Sequence, residues 1–240
     1  MPKKYNCKQV QNKIAESIKK PETIYKADCV NWSGRTNDSN ELSSEIIAGL
    51  LLEKKNSGWL KGIGTISREE TYNPHLGAKF QKTKSNRKEE QYAGCLFNTK
   101  AKLGTLGKVI EYQVPLKNIR GDRAGKIDLV TYNESKNSFY LIEFKLNNTS
   151  DTLLKTVLEI ETYYLQLDPE KFRCDFNTNP QSEIYKAVLL QGKPEGCLAL
   201  KEAKEVNKIN LRPKLKKLIQ KLQIGVYELI NDGNIEILCQ

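Results

Sequence analysis

Residues 125–148, GKIDLVTYNESKNSFYLIEFKLNN, constrain the fold more than any other stretch of the chain. Two runs rich in β-branched and aromatic residues flank a polar break at 133–137, which predicts two strands joined by a turn. Three charges interrupt these runs: Asp128 in the first, and Glu143 and Lys145 near the end of the second. Because a charge on a buried strand is costly unless it is paired or holds a metal, these three residues need a chemical explanation.

The spacing of the three charges predicts that they meet. Glu143 and Lys145 are two residues apart, so the alternation of a strand places both on the same face of the sheet. If the two strands are neighbours, Asp128 lies close to them. Two carboxylates that converge from adjacent strands suit Mg²⁺, with Mn²⁺ as a substitute, because these ions prefer oxygen ligands. A lysine beside them could orient or help to deprotonate a water, which predicts hydrolysis of a phosphodiester.

The tripeptide E-x-K is not specific by itself, since it also occurs at 53–55, 134–136 and 202–204. The copy at 143–145 differs because it ends an aliphatic strand, follows a strand that carries an aspartate, and precedes an amphipathic helix. A structural alternative stays open at this point. In it, the tripeptide forms a salt bridge at the strand end and Asp128 bonds to a nearby backbone amide.

The charge balance favours a polyanionic partner. The chain of 240 residues carries a net charge of +10, and its lysines are spread over the whole length. Such a balance favours nucleic acid over an acidic small molecule. A hydrophobic content of 38% is enough for a core and excludes disorder by composition.

The cysteines and the single histidine exclude several classes of protein. Six cysteines occur without a CxxC pair, and His75 is the single histidine, so zinc-finger spacings are absent and a disulfide scaffold is not expected. We interpret His75 as a surface residue of a loop. Reduced thiols, no apolar signal-peptide region and no run of membrane-spanning length predict a soluble, cytoplasmic protein.

The periodicity of apolar residues predicts two helices and two further strands around the two central strands. A helix, a strand, a second helix and a further strand are predicted at 86–98, 108–116, 152–167 and 183–191. The order is therefore αβββαβ. Hairpin-like links followed by a helical crossover give an α/β fold with a mixed central sheet flanked by helices.

The predicted core occupies 86–191, and two further segments complete the chain. Residues 1–85 are predicted to form a basic helical extension packed on the core. Residues 192–240 are predicted to form a helix near 211–222 and a β-hairpin that complete the same domain.

Two helices place glutamates on their apolar faces, which is unfavourable for folding and often marks a working site. Glu89 projects to the middle of the apolar face of helix 86–98, and Glu90 projects to its edge. Glu161 projects into the apolar face of helix 152–167. An ordinary ion pair with a neighbouring base is the alternative for each of them.

A basic loop precedes the first central strand. Lys117, Arg120, Arg123 and Lys126 lie in a stretch that also contains two glycines. A flexible basic loop is typical of a surface that contacts phosphates, and a merely solvated turn is the alternative.

The residues Asp128 in GKIDLV and Glu143-Phe144-Lys145 in YLIEFKL, in the order αβββαβ, resemble the PD-(D/E)XK, or restriction-endonuclease-like, nuclease superfamily over residues 86–191. The resemblance implies that Asp128 and Glu143, with the carbonyl of Phe144, would ligate Mg²⁺ and that Lys145 would act on the water.

The same resemblance extends to the helices. It implies that Glu89, or Glu90 as second choice, would be the site glutamate of the preceding helix, and that Glu161 would be its counterpart on the following helix. The sequence departs from the family pattern at Ile127, where many members have proline.

The function expected from sequence is therefore a Mg²⁺-dependent DNA endonuclease. A restriction-type enzyme is one candidate within this class, and a homodimer is one candidate for its oligomeric state. Two alternatives stay open: a non-catalytic nucleic-acid-binding or scaffold protein of the same fold, and an RNA-processing nuclease. The intact Asp128, Glu143 and Lys145 argue against the former. No run of stacking aromatic residues supports the latter.

Overall fold

Seven strands form a mixed sheet whose spatial order is the order of the chain. The computed structural model describes residues 5–56, 58–82, 87–117, 125–208, 211–231 and 233–240. The strands are β1 (Lys102–Leu103), β2 (Gly107–Pro115), β3 (Lys126–Asn133), β4 (Ser138–Lys145), β5 (Glu183–Gln191), β6 (Ile224–Asn231) and β7 (Asn234–Cys239). The helices are α1 (Cys7–Ser17), α2 (Ser43–Leu52), α3 (Lys88–Thr99), α4 (Leu153–Gln166), α5 (Pro169–Asp175), α6 (Leu198–Val206) and α7 (Pro213–Lys221).

The sheet is antiparallel from β1 to β4, parallel from β4 to β6, and antiparallel again between β6 and β7. Parallel neighbours need long crossovers, and helices supply them: α4 and α5 connect β4 to β5, and α6 and α7 connect β5 to β6. The sheet curls until β7 contacts the turn at Gly104–Leu106 beside β1. The architecture is thus an α/β fold around a nearly barrel-shaped sheet.

Strand β4 lies at the centre of this arrangement, and every residue in it is buried. One face of the sheet packs against α4, and the other packs against α3. The two sets of alternating side chains on β4 therefore belong to different clusters: Phe139 and Leu141 to the cluster on the α4 side, and Tyr140, Ile142 and Phe144 to the cluster on the α3 side. This burial on both faces explains the continuous apolar run in the sequence.

The N-terminal helices pack on the α4 side of the sheet. Helix α1 contacts α2, α2 contacts α7, and the 3₁₀ turn Pro21–Lys26 contacts α4. Val10, Ile14 and Ile47 are fully buried in the same apolar cluster as the core residues of α4. Residues of the N-terminal segment thus belong to the hydrophobic core around the sheet.

Most predicted elements occur with small shifts at their ends. The sequence predicts strand 183–191, and β5 has those bounds, whereas helix 86–98 is observed as α3 two residues later at its start. The short elements β1, α5 and α6 are absent from the prediction. Within the described residues, no helix is both long and apolar enough to cross a membrane.

Helix α7 begins on a carboxylate supplied by α2. Glu45 is buried, and its Oε2 and Oε1 accept hydrogen bonds from the backbone N–H groups of Lys214 and Leu215 at 3.0 and 2.9 Å. This contact satisfies two of the N–H groups that a helix start leaves without intrahelical partners.

We expect Glu45→Ala to lower the free energy of unfolding by about 1–3 kcal/mol, because buried donors lose their acceptor. Glu41→Ala is the matched control: Glu41 forms a solvent-exposed pair with Lys214 at 2.8 Å, and its loss should cost about 0–1 kcal/mol. Urea denaturation of both variants measures the difference. Equal losses would show that the cap on α7 contributes no more than a surface ion pair.

Candidate active site

Asp128 and Glu143 lie close together on two neighbouring strands. The register of β3 and β4 pairs Leu129 with Ile142, and Asp128 and Glu143 are the residues just beyond that last pair. The charge of Asp128 raises the pKa of Glu143, so the two carboxylates are near each other, as the sequence predicts for neighbouring strands.

Asp128 is held by a backbone amide and by a side chain of β2. Its Oδ2 accepts from the backbone N–H of Phe144 at 3.0 Å, and its Oδ1 accepts from Nε2 of Gln113 at 2.9 Å. Gln113 has a φ of 48°, an uncommon left-handed backbone for a residue with a side chain. Such an outlier is often found at functional sites, and here it accompanies an amide that fixes the carboxylate.

Glu143 is buried, and only one of its oxygens has a donor. Its Oε1 accepts from Nζ of Lys145 at 2.7 Å, whereas Oε2 has no hydrogen-bond partner among the described residues. Burial, with the nearby carboxylates of Asp128 and Glu159, raises the pKa of Glu143 well above its usual value, and Lys145 opposes this shift. A buried carboxylate oxygen without a donor is an unfavourable feature that a bound cation would relieve.

Lys145 lies among several carboxylates. Besides Glu143, its Nζ lies 3.6 Å from Oδ2 of Asp151 and 4.0 Å from Oε2 of Glu159. Burial alone would lower the pKa of Lys145, but Glu143, Asp128 and the other carboxylates more than offset it and raise the pKa well above its usual value. Lys145 is therefore an ammonium at neutral pH.

Asp128 has a shifted pKa for a related reason. Burial raises its pKa to about 6, and Glu89 and Glu159 add to the rise, whereas Lys145 and the Phe144 amide oppose it. A carboxylic acid that titrates near neutral pH between charged neighbours is typical of functional sites.

The two glutamates of α3 both line the cleft in front of Asp128. Glu89 accepts weakly from the backbone N–H of Leu146 at 3.4 Å. Its charge raises the pKa values of both Asp128 and Lys145, so it lies close enough to act on the site. Glu90 pairs with Arg87 at 3.2 Å. The structure brings Glu89, the first choice from sequence, toward the carboxylate pair and turns Glu90 toward Arg87.

Glu161 does not lie with the other charges, in contrast to the prediction from sequence. Its Oε2 accepts from Nζ of Lys186 on β5 at 2.6 Å. Lys186 pairs in the sheet with Leu141, which precedes Lys145 by four residues on β4. Four residues of a strand span about 13 Å, so Lys186 and Glu161 lie away from Lys145. Glu159, half a turn earlier on α4, lies beside Lys145 instead, and its Oε1 accepts from the hydroxyl of Tyr163 at 2.9 Å.

A cleft of about 610 Å³ opens in front of Asp128. It is lined by the start of α3, by Gln113 and Asp128, and by the turn 146–149 that follows β4. Arg87 and Lys88 lie on the same wall as Glu89 and Glu90, so the cleft presents both signs of charge. A cleft of this volume gives a substrate group access to Asp128.

The predicted basic loop is only partly within the described residues. Arg120 and Arg123 lie outside them. Lys117 is half-buried, and its carbonyl accepts from Nη1 of the buried Arg68, which ties the chain before the loop to an earlier segment. Lys126 is exposed at the start of β3, two residues before Asp128.

Phe144 contributes to the site through its backbone. Its N–H binds Asp128, and its ring is fully buried on the opposite face, 5.5 Å from the ring of Tyr92. Within the described residues, no group of three or more His, Cys, Asp and Glu side chains is arranged to hold a metal ion. The role of the Phe144 carbonyl as a ligand stays a prediction.

No protein-family model, curated protein or solved structure matches this chain.

Four residues of the site have no counterpart in the sequence prediction: Gln113, Asp151, Glu159 and Tyr163. Asp151 lies in the N-cap region of a strong helix, where a carboxylate has an ordinary structural role. Gln113 lies in a regular-looking strand. Glu159 follows Asp151 by eight residues, which is about two helical turns, on the helix that comes soon after Lys145. This spacing is a weak signal that the two carboxylates lie on a similar side of the helix.

Proposed function

We propose that this protein is a Mg²⁺-dependent DNA endonuclease that hydrolyses phosphodiester bonds. The observation that carries the proposal is that Asp128, at an open cleft, lies close to the buried Glu143 and Lys145, which are joined at 2.7 Å. A salt bridge with only a structural role would explain Lys145 and Glu143. It would not explain a second carboxylate close to them or the oxygen of Glu143 that has no donor.

The order of elements supports a restriction-endonuclease-like core. Helix α3, strands β2, β3 and β4, helix α4 and strand β5 occur in the order αβββαβ, and the carboxylates lie on the second and third of these strands. The mixed sheet has the antiparallel and parallel neighbours that this order requires. By this proposal β6 and β7 extend the sheet beyond the core.

The residues present fit a divalent cation. Mg²⁺ in proteins is usually held by one or two carboxylates and completes its shell with water and substrate oxygens, so a third carboxylate is not required. Asp128 and Glu143 would hold it, with the Phe144 carbonyl as a further oxygen, and the unpartnered Oε2 of Glu143 is available for that purpose. When bound, the ion supplies Lewis-acid activation of the phosphodiester and its water.

Lys145 acts as a cation in this mechanism. Since the surrounding carboxylates raise its pKa well above its usual value, it is poorly suited to remove a proton from water. Its ammonium group can instead orient the water and stabilise the negative charge that develops on the phosphate oxygens. The sequence predicts that Lys145 orients the water or helps to deprotonate it; of these two roles, the raised pKa favours only the first.

Glu159 acts through Lys145. Its Oε2 lies 4.0 Å from Nζ, and its other oxygen is held by Tyr163, so the carboxylate is fixed at one end of the ammonium group. Glu159 and Asp151 together give Lys145 a defined position when Glu143 turns toward a cation. They are positioning residues by this proposal.

The two glutamates of α4 give a matched pair of variants. We expect Glu159→Gln to lower the cleavage rate about 10- to 100-fold, because Lys145 loses a positioning charge. Glu161→Gln should leave the rate within about twofold and lower the free energy of unfolding by about 1–3 kcal/mol, because Lys186, which is only partly exposed, loses its carboxylate. Cleavage kinetics and urea denaturation distinguish the two. A larger loss of cleavage in Glu161→Gln would restore the assignment made from sequence.

The proposal is tested by incubating the protein with supercoiled plasmid, linear duplex, single-stranded DNA and RNA, in Mg²⁺, Mn²⁺ or EDTA. We expect nicking or linearisation of plasmid in Mg²⁺ and none in EDTA. Cleavage of RNA alone would favour an RNA-processing nuclease. Binding of DNA without cleavage in either metal would overturn the proposal in favour of a non-catalytic nucleic-acid-binding protein. Sedimentation during the same experiments shows whether the active species is a homodimer.

A further inference from the structure

A second pocket, of about 520 Å³, lies at the other end of β2 and β3 from the candidate active site. Its walls come from the loop 73–79, the end of α3, the first residues of β2 and the end of β3. Tyr132, which lines it, is four residues from Asp128 on β3, or about 13 Å along the strand. The pocket is therefore separate from the cleft in front of Asp128.

The walls of this pocket are largely apolar and include three aromatic rings. Phe97, Tyr132 and Phe176 supply the rings, and Ile110 and Leu76 supply aliphatic surface. Leu76 is 81% exposed, which is unfavourable for a large aliphatic side chain unless something covers it. The volume is within the range of small-ligand sites, and flat rings are suited to stacking on a planar heterocycle.

Lysines border the same pocket. Lys79, Lys100 and Lys108 are exposed and line it together with a single carboxylate, that of Glu134. None of the three forms an ion pair within the part of the chain that the structure describes. A surplus of ammonium groups beside apolar walls favours a ligand that combines an aromatic body with an anionic end.

His75 is held rigidly at the pocket wall by a fully buried carboxylate. Its Nδ1 lies 2.8 Å from Oε1 of Glu111, its backbone N–H donates to Oε2 at 3.0 Å, and its ring stacks on Tyr112 with centroids 4.3 Å apart. The bond to the carboxylate assigns the proton to Nδ1 and leaves Nε2 for another partner. These contacts fix the imidazole edge at the pocket wall before any ligand binds.

We propose that this pocket binds a mononucleotide, with the base against the aromatic and aliphatic lining and the phosphates against the lysines. A nucleoside phosphate satisfies both halves of the site: its heterocycle covers apolar surface that includes the exposed Leu76, and its phosphate charge matches the lysines. An uncharged apolar ligand would leave the lysines without a counterpart. Inorganic phosphate would leave the apolar walls exposed.

The test is isothermal titration of the full-length protein with AMP, ADP and ATP, with inorganic phosphate and adenosine as half-ligands. We expect a mononucleotide to bind at least about tenfold more tightly than either half-ligand. Lys100→Gln combined with Lys108→Gln should weaken binding at least about tenfold, and Lys221→Gln, an exposed lysine on α7, should leave it unchanged.

Two further variants complete this test. Ala78→Trp, a substitution at an exposed position on the pocket wall, should fill the pocket and abolish binding without unfolding the protein. Asp128→Asn should bind the mononucleotide as the wild type does, because it alters only the separate cleft. No binding to wild type up to about 1 mM, or binding that survives Ala78→Trp, overturns the proposal. Binding that Asp128→Asn abolishes would place the nucleotide in the cleft and would also overturn it.

Discussion

Asp128→Asn is expected to lower the rate of DNA cleavage about 10³-fold and, at pH 7, to raise the stability of the fold. The loss of activity follows from the proposed function, since an amide is a poor ligand for Mg²⁺ and carries no charge. The gain in stability follows from the environment of Asp128. Burial and neighbouring carboxylates raise its pKa to about 6, which means that the folded protein disfavours the ionised form.

The sign of the pH dependence follows from linkage. The pKa of Asp128 is about 6 in the folded protein, above its ordinary value of 3.8. Below about pH 4 the carboxyl group is protonated in both states and costs nothing. Between about pH 4 and 6 the unfolded chain loses this proton first, so stability falls, and above about 6 the full cost of about 2–3 kcal/mol persists. Asp128→Asn removes this cost.

Urea denaturation of both proteins at pH 4 and pH 7 measures the effect. The free energy of unfolding of Asp128→Asn, relative to that of the wild type, should be higher at pH 7 than at pH 4. Asp151→Asn is the matched control with the opposite sign: burial raises the pKa of Asp151, but its bond to Lys155 and the charge of Lys145 outweigh this and lower it. Asp151→Asn should therefore lose stability at pH 7. A loss of both stability and cleavage in Asp128→Asn would indicate a structural role for that carboxylate.

The strands of the site could be predicted because local patterns specify them. β3 and β4 are short runs rich in β-branched and aromatic residues, and the turn between them is short, so their pairing and the proximity of Asp128 and Glu143 follow from sequence. Helix α4 has a long apolar stripe and begins at a side-chain cap from Thr152, whereas α3 has no such cap and begins two residues later than predicted. Helix α5 is absent from the prediction because a helix of seven residues is too short to show a distinctive hydrophobic period.

The glutamates of α4 could not be separated by periodicity alone. A helical wheel puts Glu161 within the apolar arc and Glu159 outside it. In the fold, however, the turn Pro21–Lys26 covers a further side of α4, where Tyr25 packs on Tyr163 at 5.8 Å. Glu159 is thereby enclosed beside Lys145, whereas Glu161 finds Lys186 on β5. This outcome depends on a contact across more than 130 residues, which local sequence does not encode.

His75 and Glu111 give a second case of this kind. A lone histidine in a glycine-containing loop reads as a surface residue. Its partner is 36 positions away, on an irregular part of β2 where the register with β3 shifts between Val109 and Glu111. The irregularity turns Glu111 into a fully buried position, and it is a feature of strand pairing that sequence periodicity does not predict.

The centre of the site depends on the buried ammonium group of Lys145, which lies among several carboxylates. Lys145 lies near Glu143, Asp151 and Glu159, and the charge of Asp128 also acts on it. Without a positive charge these groups repel one another, and each would take up a proton or move apart. A divalent cation could take over part of this role, which links the stability of the site to its proposed ligand.

Lys145→Met is accordingly expected to abolish cleavage and to lower the free energy of unfolding at pH 7 by about 3–5 kcal/mol, because a buried ion pair loses one partner. The loss should be smaller at pH 5, where the carboxylates with raised pKa values are protonated. Urea denaturation at both pH values measures it. Lys155→Met is the control, since Lys155 pairs with Asp151 at 2.6 Å but is 22% exposed, and its loss should cost about 0–1 kcal/mol.

Magnesium separates the two effects of Lys145→Met. If Asp128 and Glu143 hold the cation, Mg²⁺ at about 10 mM should raise the melting temperature of Lys145→Met more than that of the wild type. The reason is that the bound ion replaces the missing positive charge. The cleavage rate should nevertheless stay near zero, since the ammonium group that stabilises the developing phosphate charge is gone. Equal shifts in both proteins would mean that Mg²⁺ binds elsewhere. Recovery of cleavage would mean that Lys145 only offsets the repulsion between carboxylates and takes no part in the reaction.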